Sequence, residues 1–156
     1  MKRLISENDL KYYAYMKGVI KSLGLAERDY WWLINDVKAF PHKREYAELL
    51  EKNKTLLLTT EQMCDIVEQD DFNWGTAIFS LIPSSYSRED ILSQDAPRSL
   101  HNAVEVLDGL LDEPRFQHPY AELEIYAVSS IAIILVCHDD SEYVDKFKAA
   151  YPRSLE

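Results

Sequence analysis

Glycine is scarce. The four in 156 residues, Gly18, Gly24, Gly75 and Gly109, stand far apart. Phosphate-cradling loops need clustered glycines, so neither the GxGxxG fingerprint nor a Walker A loop is present. No GxSxG elbow, CxxC pair or HExxH helix occurs either. The two cysteines, Cys64 and Cys137, sit in apolar contexts without the spacing of a disulfide framework, which predicts reduced thiols and a cytoplasmic protein. No apolar run reaches the roughly 20 residues of a membrane helix. Met1–Ile5 gives way at once to polar residues, so a signal-peptide core is missing. Low-complexity stretches and internal repeats are absent, and 156 residues predict one domain, 1–156.

Basic residues run short after position 54. Residues 1–54 hold 11 Lys/Arg against 8 Asp/Glu, a net of +3, whereas residues 55–156 hold 6 against 19, a net of −13. From Glu61 to Ser87 there is no Lys or Arg at all. Such a field repels phosphate backbones and anionic lipid and attracts a basic protein, so the expected partner is a basic protein, with no nucleic acid and no membrane.

What is present is an alternation of helical and strand periods. Ser6 to Asp9 resembles a capping box, followed by an apolar stripe Leu10, Tyr13, Ala14, Ile20, Leu23 and a stop at Gly24. Tyr30–Ile34 reads as an aromatic strand, Asn35-Asp36 as a tight turn and Val37–Phe40 as the returning strand. Two adjacent strand residues face opposite sides, so Trp31 and Trp32 must part company. A helix opened by Pro41 carries Tyr46, Leu49 and Leu50, and a short strand follows at Thr55–Leu58. Thr59 and Gln62 form a capping box for the next helix. A strand at 74–82 alternates Ala77, Phe79, Leu81 against Thr76, Ile78, Ser80. A short turn starts at Ser87, and a helix from Pro97 bears Leu100, Val104, Leu107 and Leu111. The chain closes with a half-buried strand (Leu123, Ile125, Ala127 in; Glu122, Glu124, Tyr126 out), a hairpin at Ser129-Ser130, a doubly buried strand Ile131–Cys137 and a C-terminal helix ending at Pro152. The expected fold is α+β: a mixed, mainly antiparallel sheet of about five to six strands with helices packed against it.

Chemistry-bearing residues are few. His138-Asp139-Asp140, with His118, offer metal-ligand types, but consecutive residues do not readily converge on one ion, and no metal or other cofactor is expected. Glu122 and Glu124 share a strand face at i and i+2, a spacing that permits acid–base work, yet no nucleophile accompanies them. Cys64 has no basic sequence neighbour to activate it. The tyrosines Tyr12, Tyr13 and Tyr15 fit packing better than base stacking, given the charge. Asp70, Asp71, Glu122, Glu124, Asp139 and Asp140 would instead make one acidic partner-binding surface if their strands are neighbours, with Trp74, or Trp31 or Trp32, as an apolar anchor.

In size, acidity, the Tyr30–Ile34 strand and the closing Pro119–Ile125 strand, buried strand and Phe147…Tyr151-Pro152 helix, the chain resembles the small cytoplasmic immunity proteins of bacterial polymorphic-toxin and contact-dependent inhibition systems. The resemblance implies non-catalytic inhibition of a cognate toxin, often a basic nuclease, and assigns no residue a role. The alternatives are a small cytoplasmic enzyme with its groups in a pocket, and a homo-oligomeric structural or regulatory protein.

Overall fold

The computed structural model describes residues 1–6, 14–94, 114–130 and 132–156. Six strands, β1 (Lys2–Ile5), β2 (Tyr30–Phe40), β3 (Thr55–Thr59), β4 (Asn73–Pro83), β5 (Leu123–Val128) and β6 (Ala132–Cys137), form one sheet in the order β1-β6-β5-β4-β2-β3. Every neighbouring pair is antiparallel. The helices are α1 (Met16–Leu23), α2 (Arg44–Lys52), α3 (Thr60–Gln69), α4 (Arg88–Leu92) and α5 (Glu142–Ala150). None of these is long and apolar enough to cross a membrane.

One sheet face carries Leu4, Trp32, Ile34, Phe79, Leu81, Leu123, Ile125 and Leu135, and packs on the apolar stripes of α1, α3 and α5. Local signals set the ends of these helices. Gly24 takes φ 67° to close α1, a conformation nearly free of cost only for glycine. Thr59 and Gln62 form the reciprocal capping box of α3, at 3.1 and 2.9 Å. Ser141 Oγ accepts from Tyr143 N–H to start α5. The stripe residues Leu10 and Tyr13, with Tyr12, and the helix expected from Pro97 lie outside the described residues.

The opposite face is also covered. Ile78, Tyr126, Val128, Ile134 and Val136 are buried there, as are Leu33, Leu57 and Ile82, beneath Ile91 of α4 and Ala121 with Phe116 and Tyr120 of the segment 114–121. Two expectations are corrected as a result. β5 is not half-buried: of the outward set, Glu122 is exposed as expected, but Glu124 and Tyr126 are buried. Nor does the chain turn at Asn35-Asp36. β2 runs unbroken from Tyr30 to Phe40, with register shifts against β4 between Asn35 and Lys38 and again between Lys38 and Phe40. Asp36 does adopt φ 53°, the left-handed state that Asn and Asp tolerate best, but it makes a bulge, not a hairpin. The sixth strand is β1, where the sequence carries no strand signal. Its four residues pair with the edge of β6, and Leu155 bridges to Ile5 on its other side.

The β5–β6 connection follows Ser129-Ser130 as expected, with both serines at positive φ (48° and 62°). A left-handed non-glycine residue costs about 1 kcal/mol. Ser130 Oγ is engaged by Asn73, so Ser129 is the cleaner site to relieve. Ser129→Gly is expected to raise the unfolding free energy by about 0.5 kcal/mol, read as a higher urea midpoint at unchanged slope. A lowered midpoint would show that the turn stores no such strain.

Candidate functional site

The antiparallel topology sorts the loops to two ends of the sheet. At one end β2 and β5 begin and β4 and β6 finish. Tyr30 pairs with Pro83, Leu81 with Leu123, and Leu123 with Cys137. This register gathers Asp29, Glu122, Asp139 and Asp140, all exposed. Tyr30 donates its hydroxyl to Glu122 at 3.4 Å and shares a 3.0 Å bond with Tyr143. Burial, followed by these partners, pushes the Tyr30 phenol well above its ordinary value, so it stays a neutral donor. Ser84 donates to Asp29. Asp139 faces the Met1 amine at 3.0 Å, while Glu142 is tied to Arg28 and Lys146.

At the same end, on the sheet face that carries Leu33, Leu57 and Ile82, lies an aromatic shelf. Trp31 is half-buried while Trp32 is fully buried, as the alternation of adjacent strand residues requires. The Trp31 indole N–H donates to the Tyr86 carbonyl at 3.0 Å, and Arg88 sits over its ring. Tyr86, 37% exposed, stacks on Tyr120 with centroids 4.3 Å apart and planes at 10°. Gln94 donates to the Tyr120 hydroxyl. The sequence pointed to Trp31 but missed Tyr86 and Tyr120, because they are 34 positions apart and only the fold stacks them.

The predicted single acidic surface is not one surface. Asp70 and Asp71 precede β4 and lie at the far end of the sheet from Glu122, Asp139 and Asp140. A six-residue strand such as β5 spans roughly 20 Å. Three of the residues assigned to partner contact are interior. Trp74 is 1% exposed and packs on Phe72 and Phe79, so it is core and not an anchor. Asp70 is buried because it serves α2. That helix starts after Lys43, whose side chain provides no cap. Asp70 Oδ2 accepts from the N–H groups of His42 and Lys43, both at 2.8 Å, and Oδ1 meets His42 Nδ1 at 2.7 Å. Burial pushes the Asp70 carboxyl up, but these bonds together outweigh it and hold it below the ordinary value. The pair leaves the exposed His42 ring oriented, with no hydroxyl or thiol hydrogen-bonded to it among the described residues, so a helix cap accounts for it.

Glu124 is the third correction. It is fully buried. Oε1 accepts from Ser80 Oγ (3.0 Å) and His118 N–H (2.9 Å), Oε2 from Gln117 N–H (2.8 Å) and the Tyr126 hydroxyl. Burial raises its carboxyl above the ordinary value against the pull of these four donors. Glu122, two positions earlier, is exposed and takes the Tyr30 hydroxyl instead, so the two carboxylates are not an acid–base pair. Glu124 is instead the peg on which the segment 114–121 hangs.

The remaining candidates stay apart. Cys137 is buried and Cys64 half-buried, and burial raises both thiols, which keeps them protonated. His118 is buried on the second face, whereas His138 is exposed and packs edge-on to Phe116. Among the described residues no three His, Cys, Asp or Glu side chains are placed to hold a metal ion. No family model, curated protein or solved structure matches the chain.

Proposed function

We propose that this chain is a non-catalytic protein-binding module that takes a basic protein at the acidic end of its sheet, in the manner of an immunity protein neutralising a toxin. The observation that carries the reading is that one end of the sheet holds both exposed Asp29, Glu122, Asp139 and Asp140 and the Trp31, Tyr86 and Tyr120 shelf. Carboxylates steer a basic partner and reject like charge. Half-exposed Trp and Tyr are the side chains that most often anchor an interface. The net charge of −10 extends the attraction beyond the contact itself.

The direct experiment is co-expression with the product of the neighbouring gene, scoring rescue from toxicity together with co-purification. In the resulting complex, Glu122→Lys, Asp139→Lys and Asp140→Lys combined are expected to weaken binding on the order of a hundredfold, mostly in the association rate at low salt. Asp71→Lys, at the far end, should change it by less than about threefold. Equal losses from both variants, or none from either, would remove the acidic end as the interface. Isothermal titration across two salt concentrations reads both outcomes.

A further inference from the structure

We propose that the segment 114–121 is an acid-sensitive latch, closed at neutral pH because the two ring nitrogens of buried His118 are engaged in opposite senses, and that acid releases the part of the interface it holds. Nε2 lies 3.1 Å from the Ile91 carbonyl of α4. A carbonyl only accepts, so Nε2 carries the proton. Nδ1 lies 3.1 Å from the Tyr120 backbone nitrogen. An N–H only donates, so Nδ1 is bare. The neutral Nε2–H tautomer satisfies both contacts, and no other state of the ring does. In the imidazolium, the added proton sits on Nδ1 and faces the Tyr120 N–H. Flipping the ring puts carbons where nitrogens stood and loses the bonds outright.

The other charged groups around His118 do not supply the same trigger. Glu124 takes the backbone N–H of His118. When it gains a proton, Oε2 can donate to the Tyr126 oxygen while Oε1 goes on accepting from His118, so the peg survives. The Tyr120 ring meets His118 edge-on at 5.4 Å. Among the described residues, the charged or titratable groups of the packed elements are Arg88, Glu89 and Asp90 on α4, Arg115 on the latch and His138, which meets the Phe116 ring of the latch edge-on, all exposed. Burial lowers the His118 imidazole below its ordinary value, against the pull of the Ile91 carbonyl. The sign follows. A released His118 takes its proton near pH ~6.5 while the closed latch resists, so the latch is fully effective above that pH and weakens as pH falls towards the lower folded value.

Release frees Tyr120 from its stack on Tyr86 and loosens the approach to Glu122. This consequence rests on the reading of those residues as interface; the latch itself does not. The test is amide hydrogen exchange on the full chain between about pH 7.5 and about pH 5, corrected for intrinsic rates, with imidazole nitrogen shifts recorded alongside. The Tyr120 amide is expected to lose protection by roughly tenfold per pH unit below about 6.5, down to the imidazole's own folded value. Amides of Ile125 and Leu135 should keep theirs, and the neutral spectrum should show the Nε2–H tautomer. Glu124→Gln should leave the transition in place. The latch is overturned if Tyr120 stays protected while the imidazole titrates, if the core amides open in parallel, or if Glu124→Gln abolishes the change. Any of these leaves the charge-reversal experiment untouched, and loss of binding there leaves the latch intact.

Discussion

Glu124→Ala is expected to lower the unfolding free energy by about 2–4 kcal/mol, because it removes the acceptor on which two backbone donors end. The Gln117 and His118 N–H groups both end on this carboxylate. Ser80 and Tyr126 can turn their hydroxyls elsewhere; the amides cannot. Some of the loss is returned, since the wild type carries the desolvation cost of a charge buried between β4, β5 and the segment 114–121. Glu124→Gln separates the two effects. Its carbonyl can take the amides and its NH2 can face the Tyr126 oxygen, so it should cost less than about 1.5 kcal/mol at neutral pH. Burial raises the Glu124 carboxyl, so its favourable contribution is full below the ordinary carboxylate value and is lost as pH rises through the folded value. The wild type should therefore gain on Glu124→Gln as pH falls. Urea unfolding of the three proteins at two pH values measures all of this, and an alanine variant within about 0.5 kcal/mol of wild type would remove Glu124 as the peg.

The difference between Glu122 and Glu124 also shows where sequence reading stops. Local rules located most of the framework: the capping box at Thr59 and Gln62, the glycine that ends α1, the alternation of β4 and the doubly buried β6 all depend on residues a few positions apart. The antiparallel sheet followed from them. A charge on a strand face, however, is solvated or buried according to what another segment does, and here residues 114–121 fold back over Glu124. Asp70 misleads in the same way: acidic neighbours suggested a surface, while its bonds run to His42 and Lys43, nearly 30 positions away. β1 was missed because a strand of four residues has no period to read, and its identity comes from the free edge of β6. The candidate site was legible in its charge and in Trp31. The Tyr86–Tyr120 stack was not, since no short-range signal joins them.

Gly75→Ala should destabilise the protein by about 1–3 kcal/mol, although glycine-to-alanine changes inside a strand ordinarily help by roughly 0.5–1 kcal/mol. The sign is reversed by the close approach of the β2 backbone at a register shift. A Cβ at Gly75 would come within 2.8 Å of the Lys38 carbonyl oxygen, 2.9 Å of the Phe40 ring and 3.2 Å of Ser130 Oγ. The Phe40 ring is 63% exposed and free to swing aside; the Lys38 oxygen belongs to the backbone. Its position is set by the register shift between the Lys38–Thr76 and Phe40–Asn73 pairs, where β4 carries one more residue than β2. Gly75 thus lets β4 close on β2 at this shift, which explains a lone glycine near the start of β4. A double-mutant cycle with Phe40→Ala tests the cause. If the ring were the obstacle, its removal would rescue Gly75→Ala. With the carbonyl as the obstacle, most of the loss should remain, and a full rescue would overturn this account of the register shift.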